Sequence, residues 1–225
     1  MSLDLDNLVI SREGRPMVAL SCHVAPGEVL SIMGPSGCGK STLLAAVVGA
    51  LPPAFSMQGR VVLNGRDITA VPTHARRLGI LFQDDILFPH LSVGANLGFG
   101  LPRSGPDRGQ AISTALEEAG LGGLQARDPA SLSGGQRARV ALMRTLLSDP
   151  LGLLLDEPFS KLDSALRAQM REFVFARARA RHLPVVLVTH DLEDARAAGG
   201  PVLDVLGNHL SLPVSSPADL SARTS

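Results

Sequence analysis

Nine consecutive residues, Gly34-Pro35-Ser36-Gly37-Cys38-Gly39-Lys40-Ser41-Thr42, fit the pattern G-x-x-x-x-G-K-[ST] at every specified position. Glycines at these places let the backbone curl until successive N–H groups point at one anion. A helix starting at the end of the run adds unpaired donors and the positive end of its dipole. The chemistry implied is phosphate binding. Lys40 is placed to reach the β- and γ-phosphates of a nucleotide, Ser41 to set its hydroxyl on Mg²⁺, and Thr42 to support the cradle nearer the α/β end. Lysine occurs only twice in the chain, at Lys40 and Lys161, among 21 basic residues. One of the two stands where a compact point charge suits a phosphate better than a planar fork.

Three more polar groups follow apolar runs. Leu151-Gly152-Leu153-Leu154-Leu155 ends in Asp156-Glu157, a buried strand delivering two carboxylates. Asp156 is suited to hold Mg²⁺, directly or through water. Glu157 is suited to take a proton from an attacking water. His190 follows Val185–Thr189 and is able to bond a γ-phosphate oxygen or orient the water, although a histidine at a strand end is by itself more often structural. Gln83, after Leu78–Phe82, carries an amide oxygen for Mg²⁺ or for the water. A second anion-binding end is spelled by Leu132-Ser133-Gly134-Gly135-Gln136. Serine and two glycines opening a helix aim N–H groups and a hydroxyl outward. An ordinary helix cap explains Ser133 but not the double glycine or Gln136. One nucleotide needs one phosphate loop, so a second reader suggests sites shared between subunits.

These groups need an α/β scaffold to hold them. Glu28–Met33 reads as a buried strand before the loop and Leu43–Gly49 as a helix after it. Leu3–Ile10 alternates like a strand with one wet face, Met17–Val24 is a second, and Gln58–Arg66 is a strand ending in an Asn-Gly turn. Leu78–Gln83 reads as a buried strand. Between 84 and 150 strand runs are few, and Ala111–Gly120 and Gly135–Ser148 show helical spacing. Leu166–His182 and Leu192–Ala198 read as helices, Pro184–Thr189 as a strand, and 201–212 as a closing hairpin around Gly207-Asn208. In an open parallel sheet ligands sit at the carboxyl ends of the strands, so Gln83, Asp156, His190 and the phosphate loop are expected on one edge.

Composition limits the alternatives. A chain of 225 residues with 21 acidic and 21 basic residues has no global field to draw in nucleic acid, which is not expected as a partner. Cys22 and Cys38 form no spacing pattern, which fits a reducing compartment. Met1–Ser11 carries Asp4 and Asp6 and no early basic residue, unlike a signal peptide. No apolar run approaches the ~18 residues of a membrane span, so the chain is not expected to be a permease itself.

Six segments taken in order resemble the ATP-binding subunit of an ABC transporter, over nearly the whole chain. Gly34–Thr42 is similar to Walker A, Gln83 in Phe82-Gln83-Asp84 to the Q-loop, Leu153–Glu157 to Walker B, Ser160-Lys161-Leu162-Asp163 to the D-loop, and His190 to the switch histidine. Leu132–Gln136 is identical to the LSGGQ signature. The wording Leu87-Phe88-Pro89-His90-Leu91-Ser92-Val93 resembles bacterial importers of spermidine, iron and thiamine.

The resemblance implies an α/β P-loop NTPase core: a mixed, mainly parallel sheet with helices on both faces, an antiparallel β subdomain and an inserted helical subdomain. It implies one domain over 1–225, with the core at about 1–83 and 151–212, the helical part at about 84–150 and a frayed tail from 213. It implies a Mg²⁺-dependent ATPase acting as a head-to-tail dimer. Each ATP lies between Lys40, Ser41, Gln83, Asp156, Glu157 and His190 of one copy and Ser133, Gly134, Gly135 and Gln136 of the other. The partners implied are a second copy, an integral membrane permease and, through it, a solute-binding protein. The place implied is the cytoplasmic face of the bacterial inner membrane. Leu87, Phe88, Val93 and Leu97 are candidates for the permease contact. The family's aromatic residue for adenine is missing, since no aromatic precedes Phe55, which leaves Arg12 or Val18 in that role; Ala95 stands where many importers have Glu. A non-transport ABC ATPase acting on a soluble macromolecule is the alternative, without the second cassette or coiled coil usual there.

Overall fold

The computed structural model describes residues 1–84, 86–102 and 107–213. Two sheets organise them. Strands β1 (Leu3–Arg12), β2 (Arg15–Val24), β4 (Phe55–Leu63) and β5 (Arg66–Asp67) form an antiparallel sheet in the order β2-β1-β4-β5. Strands β3 (Val29–Met33), β6 (Leu78–Leu81), β7 (Gly152–Asp156), β8 (Val185–Thr189) and β9 (Val202–Leu203) form a sheet in the order β6-β7-β8-β3-β9, every pair parallel.

The near-continuous apolar runs of β3, β7 and β8 follow from burial on both faces. Side chains alternate across a strand. Leu153, Leu155, Val185 and Leu187 therefore enter one core, with helices α2 (Val93–Gly100), α3 (Arg108–Glu118), α4 (Gly134–Leu147) and α5 (Ser164–Ala180). Leu154, Val186, Val188, Leu30 and Ile32 enter the other, with helix α1 (Lys40–Val48) and the inner face of the antiparallel sheet. Helix α6 (Leu192–Ala198) lies against β3 and β8 and leads into β9.

The structure departs from the sequence expectations at three places. Leu78–Gln83 is an edge strand, only partly buried, that stops at Leu81. The closing hairpin at 201–212 reduces to β9 and one antiparallel bridge, Leu203 to His209. Its turn is held by Asp204, which accepts the N–H groups of Leu206 and Asn208. Helix α2 had no helical signal, because three of its eight residues are glycine. Packing supplies what propensity lacks. A Cβ on Gly100 would stand 2.1 Å from the Arg144 carbonyl oxygen on α4. Fully buried Asn96 donates to the carbonyls of Phe88, Leu91 and Ser92 and accepts from the Phe88 N–H, so it fixes the preceding loop. The expected tail lies largely outside the described residues.

Candidate nucleotide site

The loop between β3 and α1 is shaped by glycine. Gly39 sits at φ 109°, and a Cβ there would lie 2.9 Å from Val18 Cγ2 on β2. Close approach and left-handed backbone both exclude a side chain. Lys40 opens α1 and is almost buried, and its ammonium donates to the carbonyls of Gly34 (2.8 Å) and Pro35 (3.0 Å). It also lies 3.8 Å from Glu157 Oε1. A desolvated cation surrounded by neutral carbonyls and one carboxylate is poised to accept more negative charge.

Ser41, one residue further, donates to Asp156 Oδ1 at 3.1 Å. Burial pushes the Asp156 carboxyl above its ordinary range, and neighbouring Glu157 adds to this, while the Ser41 hydroxyl and the Lys40 ammonium pull the other way. Hydroxyl and carboxylate offer hard oxygen donors side by side. Among the described residues there is no group of three or more His, Cys, Asp and Glu that could hold a metal by itself.

Glu157 sits at φ 47°, an uncommon left-handed backbone for this residue. Its N–H donates to the Val188 carbonyl, and its own carbonyl accepts from the Ser160 hydroxyl (2.9 Å) and N–H (3.2 Å). The side chain then stands 3.2 Å from His190 Nδ1 and faces a cleft lined by Ser36, Gly37, Gly39, Lys40, Ser41, Thr42, Gln83 and Asp156. The cleft is open, with a cavity volume of about 380 Å³. Gln83 reaches it from the segment beyond β6 and is exposed. Gly34, Pro35 and Cys38 contribute loop backbone rather than cleft surface.

Ser133, Gly134, Gly135 and Gln136 are not part of this cleft. They start α4, where Ser133 Oγ accepts the Gln136 N–H and Gln136 Oε1 accepts the Ser133 N–H. This reciprocal pair is a capping box. It accounts for Gln136 locally, contrary to the sequence expectation. Gly135 has a local cause as well, since a Cβ would meet Leu166 Cδ1 of α5 at 2.5 Å.

The segment from Gln83 to Phe99 splits into core and surface. Val93 and Leu97, candidates for a partner contact, are fully buried and belong to the core. Phe88 is half-buried, its ring centroid 4.6 Å from that of Phe99, with the Arg144 guanidinium 5.1 Å over its face. The segment's exposed large apolar groups are Ile86 and Phe99, the latter 68% exposed, with Phe82 exposed just before the segment. In the antiparallel sheet Arg12 of β1 stacks over Phe55 of β4, 5.9 Å from its centroid.

Sequence reasoning missed the groups that hold this site from behind. Arg76 is buried and binds four carbonyls, two of them at the end of α1. Asp191 caps α6 by accepting the Glu193 N–H and also receives Arg167 Nη1 at 2.5 Å. Burial alone works to raise the Asp191 carboxyl, but the Glu193 N–H and the guanidiniums of Arg171 and Arg167 outweigh it and hold it below the ordinary range. The aspartate before Leu192-Glu193-Asp194 was a legible cap signal. The arginines carried none.

Known proteins align with this arrangement. A family model described as ABC transporter matches residues 18–160. An uncharacterized ABC transporter ATP-binding protein of Escherichia coli K12, YnjD, is 51% identical over 195 residues, covering 86% of this chain and 89% of the relative. The thiamine import ATP-binding protein ThiQ of Cereibacter sphaeroides is 45% identical, over 86% of this chain and 84% of its own length. The Fe(3+) ions import ATP-binding protein FbpC of Mesorhizobium japonicum is 42% identical over 91% of this chain, which spans only 58% of that relative.

Proposed function

We propose that this chain, which belongs to the ABC transporter family, binds ATP with Mg²⁺ and hydrolyses it to drive a solute through a separate membrane permease. The observation that carries this reading is the Glu157 carboxylate, held beside His190 at the mouth of a cleft whose other walls are the phosphate loop and Asp156. Lys40 exchanges loop carbonyls for β- and γ-phosphate oxygens. Ser41, Asp156 and Gln83 hold Mg²⁺, which when bound neutralises charge on the phosphates. Glu157 receives the proton of the attacking water, and His190 orients that water.

The second half of the site comes from another copy of the chain. Capping-box bonds take the Gln136 N–H, and the Ser133 carbonyl takes the Arg137 N–H. Gly134 and Gly135 then present first-turn amides with no backbone acceptor among the described residues. Such a helix start attracts a γ-phosphate offered by a facing subunit. Phe82, Ile86 and Phe99 form the surface offered to the permease, and a solute-binding protein acts through that permease. The chain then works peripherally at the cytoplasmic face of the bacterial inner membrane, as one domain with a core at about 1–83 and 151–212 and a helical part at about 84–150. Balanced charge argues against nucleic acid as a partner.

Glu157→Gln tests the base. Hydrolysis should fall at least about a hundredfold while ATP binding persists and light scattering records an ATP-held dimer. Hydrolysis at the wild-type rate removes Glu157 from that role. Ser133→Arg should abolish turnover without weakening ATP binding to the monomer, and surviving activity would refute the shared site.

A further inference from the structure

A closed ring of contacts runs behind Glu157 and His190. Starting from Glu157, its carbonyl accepts the Ser160 hydroxyl at 2.9 Å. The Ser160 carbonyl in turn accepts Arg167 Nη2 at 3.1 Å, and the Leu162 carbonyl lies 3.4 Å from the same nitrogen. Arg167 Nη1 donates to Asp191 Oδ2 at 2.5 Å. Asp191 is the next residue to His190, whose Nδ1 returns to Glu157 Oε2 at 3.2 Å. Among the described residues, the one side chain that bonds both the 160–162 turn and Asp191 is Arg167, in the first turn of α5.

The local geometry leaves this guanidinium little choice. Its terminal nitrogens are committed to the two sides, and its buried Nε has no hydrogen-bond partner among the described residues. Arg171 packs beside it, donating from Nε to Asp194 at 2.5 Å and lying 3.6 Å from Asp191, so α6 is anchored on one side by a neighbouring pair. Among the described residues, Arg167 alone ties α6 to the 160–162 turn. Because Glu157 sits in a left-handed conformation, its carboxylate depends on that turn for direction.

We propose that Arg167 is a positioning residue for hydrolysis: by holding Asp191 and the Ser160 carbonyl together, it sets the His190–Glu157 contact that faces the nucleotide cleft. It touches no substrate. It acts by keeping base and histidine in one geometry, where a displacement near 1 Å costs on the order of a hundredfold in rate. This deepens the ATPase reading above and rests on it.

The experiment is steady-state ATPase kinetics on the purified full chain, with ATP affinity and thermal unfolding measured in parallel. Arg167→Ala should lower kcat by roughly ten- to a hundredfold, with KM and ATP affinity within about threefold of wild type. Arg167→Lys keeps the charge but cannot bridge both acceptors, and should lose most of the same kcat. Asp191→Asn keeps a good helix cap while discarding the ion pair; it should match Arg167→Ala, and the double variant should be no slower than either single one. Should Arg167→Ala fail to fold, Arg167→Lys and Asp191→Asn decide the matter. Unchanged kcat in those variants overturns the proposal. So does a kcat loss matched by equal losses of ATP affinity and melting temperature, which marks a merely structural role, or a double variant whose loss is the product of the two. A wild-type chain that hydrolyses no ATP would instead refute the hydrolysis reading itself.

Discussion

Arg76 offers the most direct test of what keeps the phosphate-loop helix in place. Its guanidinium is 5% exposed and donates to four backbone carbonyls: Val71 (2.7 Å), Thr69 (2.6 Å), Val47 (2.7 Å) and Ala46 (3.1 Å). The last two belong to the final turn of α1, where carbonyls lack helical partners and a cation is favoured. Arg76→Met retains an apolar stem and removes every donor. Ala46 keeps the Gly49 N–H, so the carbonyls of Val47, Val71 and Thr69 are orphaned. At about 1–2 kcal/mol each this sums to roughly 3–6 kcal/mol. Burial of the guanidinium disfavours its charged form, and relief of that penalty returns about 1–2 kcal/mol. The net loss is about 2–4 kcal/mol, a melting temperature lower by roughly 5–15 °C for a chain of this size. Urea unfolding at constant m-value measures it. The α1 carbonyls that Arg76 binds lie about 10 Å along the helix from Lys40, so folded Arg76→Met should bind ATP within a few-fold of wild type. A loss below about 1 kcal/mol, or full stability in Arg76→Lys, would refute the four-carbonyl account.

Other outcomes follow from neighbouring residues. The Asp156 carboxyl is raised by burial, so the folded chain holds its proton to higher pH than the unfolded chain. Ionising Asp156 therefore costs stability above its folded pKa, and that cost vanishes below the ordinary carboxylate pKa. Without Mg²⁺, Asp156→Asn should melt higher than wild type near neutral pH, with the gap closing as pH falls through the carboxylate range, while Mg²⁺-dependent turnover is lost. A lower melting point for the variant at neutral pH would contradict this. Gly135→Ala should destabilise by about 1–3 kcal/mol through its clash with Leu166, and Leu166→Ala in the same chain should recover part of it in urea unfolding. Phe99→Asp, which removes the ring pair with Phe88, should cost about 0.5–1.5 kcal/mol and leave basal ATPase intact, yet abolish co-purification of a permease; retained co-purification moves the contact elsewhere.

What could be read from the sequence was local. The runs of β3, β7 and β8 are almost wholly apolar, with buried Ser31 the exception in β3, because both sheet faces are covered, and each run gives way to polar residues at one edge, so Lys40, Asp156 and Glu157 meet there with His190 against Glu157. The residues behind them were illegible for a physical reason. Arg76 reaches carbonyls 29 and 30 residues earlier in the chain, and Arg167 reaches Asp191 24 residues later. Neither contact leaves a periodicity or a turn signal. Helix α2 was hidden by its glycines, which lower propensity and at Gly100 admit the backbone of α4. Val93 and Leu97 were equally ambiguous, since an apolar residue in an unassigned segment can serve a core or a partner, and only the position of α2 assigns them to the core.

The signature segment shows how one set of residues answers to two demands. Its capping box gives α4 a firm start, and Gly135 lets α5 approach. These structural causes do not compete with phosphate binding. By using the Ser133 side chain for the Gln136 N–H, the box leaves the glycine amides as the outermost donors of the helix. Glycine places no Cβ between those donors and an approaching anion. A helix capped this way is stable alone yet still offers N–H groups at its tip, and in a single copy the nucleotide cleft does not include them. If the cap were the whole explanation, Gly134 would tolerate a side chain, because a Cβ there meets nothing nearer than 3.8 Å. Gly134→Ala should accordingly fold with near wild-type stability. If it also hydrolyses ATP at the wild-type rate, the segment is a helix start and nothing more; if turnover collapses while ATP binding to the monomer persists, the glycine is required by a phosphate that the other subunit brings.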